Sequence, residues 1–220
     1  MHLMGLGFNT YGAFSEYMTI KGTAEVFKIP DNVSDKAASL CEPLAVALNG
    51  IDLSNIKPGQ TVVVFAPGPI GLLTIQLLKA AGAVYIIVTG TSADVARLEI
   101  AVMIGADAVI VVDKEDPVKR GNEIAGKLYF VFEATEIAST INQGLKMLKQ
   151  GGKVMITRIH VEDVTFDPID LVRLSKSLIG VYAYHKDTWK RALTLMSSVI
   201  IDITPIISHR LLFSRGPEGF

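Results

Sequence analysis

The 220-residue sequence holds a single cysteine, Cys41, so no internal disulfide can form and a reducing compartment suits it. It has no surplus of either charge. Its 21 Lys and Arg against 22 Asp and Glu leave a net charge of −1, without the basic excess of a nucleic-acid-binding face. Long apolar stretches are missing too: Gly, Pro or charged residues break them well short of the ~20 residues a membrane-spanning helix needs. The Met1 end has no basic run followed by an apolar segment and a small-residue cleavage site, so no secretory signal is expected. No segment repeats at a fixed long period. What the sequence has in quantity is apolar side chain: half the residues are hydrophobic and one fifth charged, enough for a sizeable core and too apolar for a disordered chain. The expectation is a soluble cytoplasmic protein made of one large domain, or one domain with an appendage.

Strand-like and helix-like segments alternate through the middle of the chain. Thr61–Ala66 (TVVVFA) is β-branched and apolar, as a strand buried on both faces requires. A turn follows at Pro67–Gly71, then a helical stretch, Leu72–Ala81, that stops at Gly82. The cycle recurs with strands at Val84–Thr89, Ala108–Val112, Tyr129–Glu133 and Lys153–Thr157, and a sixth at Ser177–Tyr182. Helices are expected at Ala93–Met103, Pro117–Ala125, Ile137–Leu148 and Lys186–Met196. This order predicts βαβ units and a doubly wound parallel sheet of the Rossmann type, with ligands at the edge where the strands end. The two ends read differently. Ala13–Ile20 and Ala24–Ile29 are strand-like, Pro30-Asp31-Asn32 is a turn signal, and Ile203–Phe213 is extended around Pro205. They are expected to be pieces of a second, β-rich domain, too short to bury a core of their own.

Ala66-Pro67-Gly68-Pro69-Ile70-Gly71 stands between the first strand and the first helix of the cycle. The dinucleotide fingerprint G-x-G-x-x-G has the same setting, with Ala66 here in place of its first glycine. Gly68 lets the backbone approach a pyrophosphate, and Gly71 lets the helix pack close to the strand. The N–H groups and dipole of the helix start favour phosphate. Ala66 needs either a negative φ or tolerance of some strain. The alternative for this stretch is a tight strand-to-helix turn without a ligand.

A second determinant, an acid gripping the ribose hydroxyls, is due near the end of the second strand. That place holds Gly90, Thr91 and Ser92, with Arg97 in the next helix and Asp94 between. Two readings stand side by side. Without an acid, hydroxyls or an arginine can accept a 2′-phosphate, giving relaxed or NADP-leaning specificity; or Thr91 and Ser92 simply cap the next helix.

Several stretches together resemble the zinc-containing medium-chain alcohol dehydrogenases, especially their sorbitol and threonine dehydrogenase branch. Gly12–Tyr17 (GAFSEY) resembles the family's GGFAEY-like strand, Phe27–Ser34 its KLPDNVS-like turn and Glu42–Ala47 (EPLAVA) its helix start. Gly68-Pro69-Ile70-Gly71 is similar to its GAGPIGL loop, Ile104–Asp107 to its LGAD segment and Ile207–Arg210 to its ITHR segment. The likeness runs through almost the whole chain in the right order. It implies an acid facing the catalytic zinc and substrate at Glu42. It also implies pyrophosphate contacts at Gly68, Pro69, Ile70 and Gly71. Contacts toward the nicotinamide are implied at Thr157, Arg158 and Ile159, and carboxamide contacts at Val181, Tyr182 and Ala183. The polyol branch has a substrate-binding arginine where Ala183 stands, which argues against a polyol. Arg158 replaces a small residue and either reaches a phosphate or points to solvent.

The family's zinc ligands have no counterpart here. A catalytic site takes three protein ligands and an open position, whereas Cys41 is alone and His2, His160, His185 and His209 are scattered. Zinc is expected for the full-length family but not for this chain, either as a fragment of a longer enzyme or as a degenerate relative. The resemblance divides the chain into a partial GroES-like catalytic domain (1–46), an NAD(P)-binding Rossmann domain (47–185), and a closing helix that returns to the catalytic domain (186–220). It implies an NAD- or NADP-dependent oxidoreductase moving hydride between an alcohol and the nicotinamide, pairing as a homodimer or homotetramer. The alternatives are a non-catalytic NAD(P)-binding module, a methyltransferase of similar fold and an interaction protein.

Overall fold

Five-residue runs such as TVVVF, apolar at successive positions, can satisfy both faces only between two layers of helix. The computed structural model describes residues 6, 7 and 10–219. Among them, β1 (Thr61–Phe65), β2 (Tyr85–Gly90), β3 (Ala108–Val111), β4 (Leu128–Glu133), β5 (Leu148–Ile156) and β6 (Ser177–Gly180) build one sheet. Its order is β3-β2-β1-β4-β5-β6, and every neighbouring pair is parallel. Two helices precede β1: α1 (Asp35–Ala38) and α2 (Cys41–Ser54). The crossovers that parallel strands demand are α3 (Pro69–Ala80), α4 (Val95–Met103), α5 (Pro117–Ala125), α6 (Ala138–Met147) and the short α7 (Ile169–Arg173); α8 (Lys186–Ser197) closes the domain. The winding reverses between β1 and β4, so a crevice opens where these strands end.

Alternation along β1 assigns its side chains to two cores. Val62 and Val64 join Leu44, Leu48, Leu73 and Leu78 on one face; Val63 and Phe65 join Ile141, Leu145 and Met147 on the other. Each large side chain fully buried in this way contributes about 1.5–3 kcal/mol. Polar ties fasten the closing segments. The Gln76 amide donates to the Asp202 carbonyl at 2.8 Å and accepts from the Asp202 N–H at 2.7 Å, and Arg191 of α8 pairs with Asp52 of α2.

The strand–helix cycle stands as expected, with edges moved by a few residues. α3 begins at Pro69 rather than at Leu72, because proline suits the first helical position. The Gly151-Gly152 turn lies inside β5, beside a register shift against β4. The flanking strand expectations are corrected. Ala13–Ile20 and Ala24–Ile29 are bends and irregular chain, and Ile203–Phe213 carries a 3₁₀ turn at Thr204–Ile206. A strand is held by hydrogen bonds from a neighbour. Among the described residues no strand pairs with these stretches, and Phe14, Tyr17, Ile20 and Val26 lie exposed. No helix of the described residues is long and apolar enough to cross a membrane.

Candidate functional site

The turn leaving β1 is shaped by one strained residue and one obligatory glycine. Ala66 donates its N–H to the Thr89 carbonyl at 3.1 Å and takes φ +77°, so the strained alternative is the one realised. Its carbonyl then points at Gly71: a Cβ on Gly71 would stand 2.0 Å from the Ala66 oxygen, which only glycine avoids. Gly68 is the opposite case. Its backbone is ordinary, at φ −71° and ψ 176°, and nothing lies within 4 Å of the place a Cβ would occupy. The turn therefore presents a bare backbone surface. Just behind it the first N–H groups of α3, those of Ile70 and Gly71, have no acceptor within the helix. This open cradle fits the close approach of a diphosphate.

The cradle opens into a cleft of about 420 Å³ at the carboxyl edge of the sheet. Six of the expected cofactor residues line it: Gly68, Pro69, Gly90, Thr91, Arg97 and Arg158. Ile70 and Gly71 form the helix start behind the turn. Gly90 is a packing position, since a Cβ there would sit 3.1 Å from Leu98 and 3.2 Å from Pro67. Thr91 and Asp94 form a reciprocal capping box, with Thr91 N–H and Oγ1 donating to Asp94 Oδ2 at 3.0 and 2.8 Å, so the capping role is present. Arg97 faces Asp94 at 3.6 Å. Ser92, through its hydroxyl first and its N–H second, holds the Asp113 carboxyl below the usual range.

The remaining expected contacts line up along the ends of β5 and β6, outside this cleft. Thr157 is buried, and its hydroxyl donates to the Glu133 carbonyl at 2.7 Å. Ile159 and Tyr182 are exposed and Val181 is buried. Ala183 takes φ +52°, and its carbonyl accepts from the Asn49 amide at 3.0 Å. Glu42 stands apart on the first turn of α2, beside Tyr184. Partial burial of its surroundings pushes its carboxyl up, and a hydrogen bond with the Tyr184 hydroxyl opposes that. Next to it Cys41 is buried, and its thiol is pushed up to about 11 by burial and then by the Glu42 charge. Cys41 and Tyr184 line a separate cavity of about 560 Å³ between the 25–29 segment and α8.

Sequence reading missed the residues on the β4 side of the cleft. Glu133 ends β4 fully buried. It accepts from the Thr135 N–H at 2.6 Å and from the Thr135 hydroxyl, the Thr140 hydroxyl lies 3.0 Å away, and His160 Nε2 meets its other oxygen at 2.8 Å. Thr135, Thr140 and Gln143 line the cleft. The available signal was an acid closing an otherwise apolar strand at the ligand edge. His160 is thus held by Glu133, while His185 precedes α8 and His209 lies against Ser208; His2 lies outside the described residues. Among the described residues no three of His, Cys, Asp or Glu converge as a metal site would require. The described residues do not fit a catalytic zinc.

A parallel sheet in this order, with a glycine-lined turn at its reversal point, defines a doubly wound α/β protein of the Rossmann type. Residues 69–198 match the family model described as zinc-binding dehydrogenase. The match spans more than half of the chain, and the chain belongs to that family. Among similar proteins, the uncharacterized zinc-type alcohol dehydrogenase-like protein YdjL of Escherichia coli is 35% identical over 99% of this chain and 64% of its own length. Human sorbitol dehydrogenase is 30% identical over 88% of this chain and 55% of its own. A zinc-binding dehydrogenase from Sinorhizobium meliloti, solved bound to NADP, superposes with a TM-score of 0.89 at 30% identity, covering 97% of this chain and 63% of that one. The chain thus spans a little over half to under two thirds of the length of these relatives.

Proposed function

We propose that this chain is the cofactor-holding part of an NAD- or NADP-dependent alcohol dehydrogenase, an oxidoreductase that moves hydride between a secondary alcohol and the nicotinamide ring. The observation that carries this is the bare Gly68 surface opening into the 420 Å³ cleft at the point where the sheet reverses. The nicotinamide supplies the hydride chemistry when bound; the chain's own task is to hold and orient it. Gly68, Pro69, Ile70 and Gly71 receive the diphosphate. Gly90, Thr91, Ser92 and Arg97 face the adenosine ribose, with Asp94 tied to Thr91 and Arg97. Thr157 and Ile159, with Val181, Tyr182 and Ala183, border the nicotinamide end, and Arg158 reaches from beside them into the cleft. Glu42 is the acid nearest the substrate side. An alcohol is the substrate class, the compartment is the cytoplasm, and β6, an edge strand, is where a second copy pairs to give a homodimer or homotetramer.

The lack of a converging metal-ligand set among the described residues favours a second reading, a module that binds NAD(P) without turnover. Titrating the chain with NADH and NADPH by nicotinamide fluorescence, alongside an assay of alcohol-dependent cofactor reduction on the same sample, separates the two. Binding with turnover supports the dehydrogenase and binding without it the module. Binding of neither dinucleotide removes both.

A further inference from the structure

One ion pair crosses the rim of the cleft, joining the loops that leave two adjacent strands. Arg158, just past β5, is paired with Glu136, just past β4. Three features set this pair apart. Arg158 lines the same cleft as Gly68 and Pro69. Glu136 holds φ +69°, a conformation that glycine takes freely and a glutamate only under strain. Both side chains are close to half exposed, at 46% and 41%, and an exposed pair of this kind is weak enough to be exchanged for a better partner.

Charge balance says what the better partner is. Among the described residues lining the cleft the cations are Arg97 and Arg158. Arg97 already faces Asp94 at the opposite, ribose side. A diphosphate settling on Gly68 would meet the start of α3, where Pro69 contributes no N–H, and no other cation but Arg158. A guanidinium matches phosphate oxygens in a bidentate fork and is always charged.

We propose that Arg158 is the cation that clamps the diphosphate of the dinucleotide, and that Glu136 is its resting partner, released as the cofactor seats. Glu136 therefore competes with the cofactor for one guanidinium and sets the affinity from outside the bound state. This rests on the cofactor reading above. It adds a positioning residue, Glu136, and gives Arg158 one defined role.

NADH titration of the full 220-residue chain and of its Arg158→Ala and Glu136→Gln variants tests it, with ADP and AMP as competitors and circular dichroism to monitor folding. Loss of a charge-assisted contact predicts binding of NADH and of ADP about tenfold weaker in R158A. AMP, which lacks the second phosphate, should compete almost equally with both proteins. E136Q should bind NADH about two- to fivefold more tightly, since removing a weak exposed pair frees the guanidinium. Unchanged NADH affinity in R158A would overturn the proposal. So would an E136Q protein weakened as much as R158A, which would make the pair a brace for the two loops. A loss confined to NADH, sparing ADP, would place Arg158 at the nicotinamide and likewise overturn it. Should R158A fail to fold, the direction of the E136Q effect decides. A parent chain that binds neither NADH nor NADPH removes the cofactor reading and the clamp together, whereas a binding parent with unmoved variants removes the clamp only.

Discussion

Replacing Gly71 with alanine sets two opposed effects against each other within the same helix. Alanine is the better helix former by about 1 kcal/mol in a helix interior, and by less in the first turn where Gly71 stands. Against this, the new Cβ would lie 2.0 Å from the Ala66 carbonyl oxygen, whereas ordinary contact begins near 3.4 Å. The oxygen or the helix must therefore retreat by about 1.4 Å, the difference of those two distances. Neither is free to do so. Ala66 is tied by its N–H to Thr89 at the end of β2, and α3 is buried along most of its length. Forcing volume into such a place costs about 1–3 kcal/mol and occasionally more, so the clash wins over the propensity. The expected net loss is about 2 kcal/mol, read as a fall of roughly 4–8 °C in melting temperature for a domain of this size, with weaker NADH binding because the cradle moves. A G71A protein that melts at the parent temperature or above it would refute the geometry assigned to the turn.

Three further outcomes follow from the same structure. Ala66→Gly should stabilise the fold by about 0.5–1 kcal/mol, because glycine relieves the positive φ at the cost of some unfolded-state entropy; a urea melt showing destabilisation contradicts it. Glu133→Leu should cost about 2–5 kcal/mol, since it leaves the Thr135 N–H without its acceptor and His160 Nε2 without its partner inside the protein, and a loss under about 1 kcal/mol in the same melt would be inconsistent with a satisfied buried carboxyl group. The Cys41 thiol should resist iodoacetamide at pH 8 until the protein unfolds. Its proton is held more tightly folded than unfolded, so this residue's contribution to stability is full below pH 9 and is lost as pH rises from 9 towards about 11. Rapid alkylation of the folded protein at pH 8 would show that the thiol is neither buried nor raised.

The central sheet was legible because its strands are short, continuous apolar runs punctuated by Gly and Pro, and helices of amphipathic or apolar pattern lie between them. The glycine turn was legible as a motif, with Ala66 as its weak point, but whether Ala66 takes a negative φ or bears the strain was not: its φ depends on where the Thr89 carbonyl lies across the sheet. The expected strands at Ala13–Ile20 and Ala24–Ile29 show the limit of periodicity. Alternation prepares a chain for a sheet, but only a neighbouring strand makes one, and none of the described residues supplies it. Of the candidate site, residues near β1 and β2 were recoverable from spacing and resemblance. The Glu133–Thr135–Thr140–His160 group was not, because its members come from β4, α6 and the loop after β5 and meet only in three dimensions. Glu136 escaped notice for the same reason, its partner lying past the next strand.

The most direct test of the cofactor reading is NADH binding to a Gly68→Val variant measured beside the parent, with melting curves for both. A Cβ at Gly68 meets nothing within 4 Å and sits at an ordinary φ, so the variant should fold, with a cost of no more than about 1 kcal/mol at this helix N-cap. Its Cβ and methyl groups would occupy the surface assigned to the diphosphate. The account predicts that the parent binds NADH or NADPH and that G68V, melting near the parent temperature, binds neither. A G68V protein that binds the dinucleotide as tightly as the parent would contradict it, because the ligand would then not be seated on this turn.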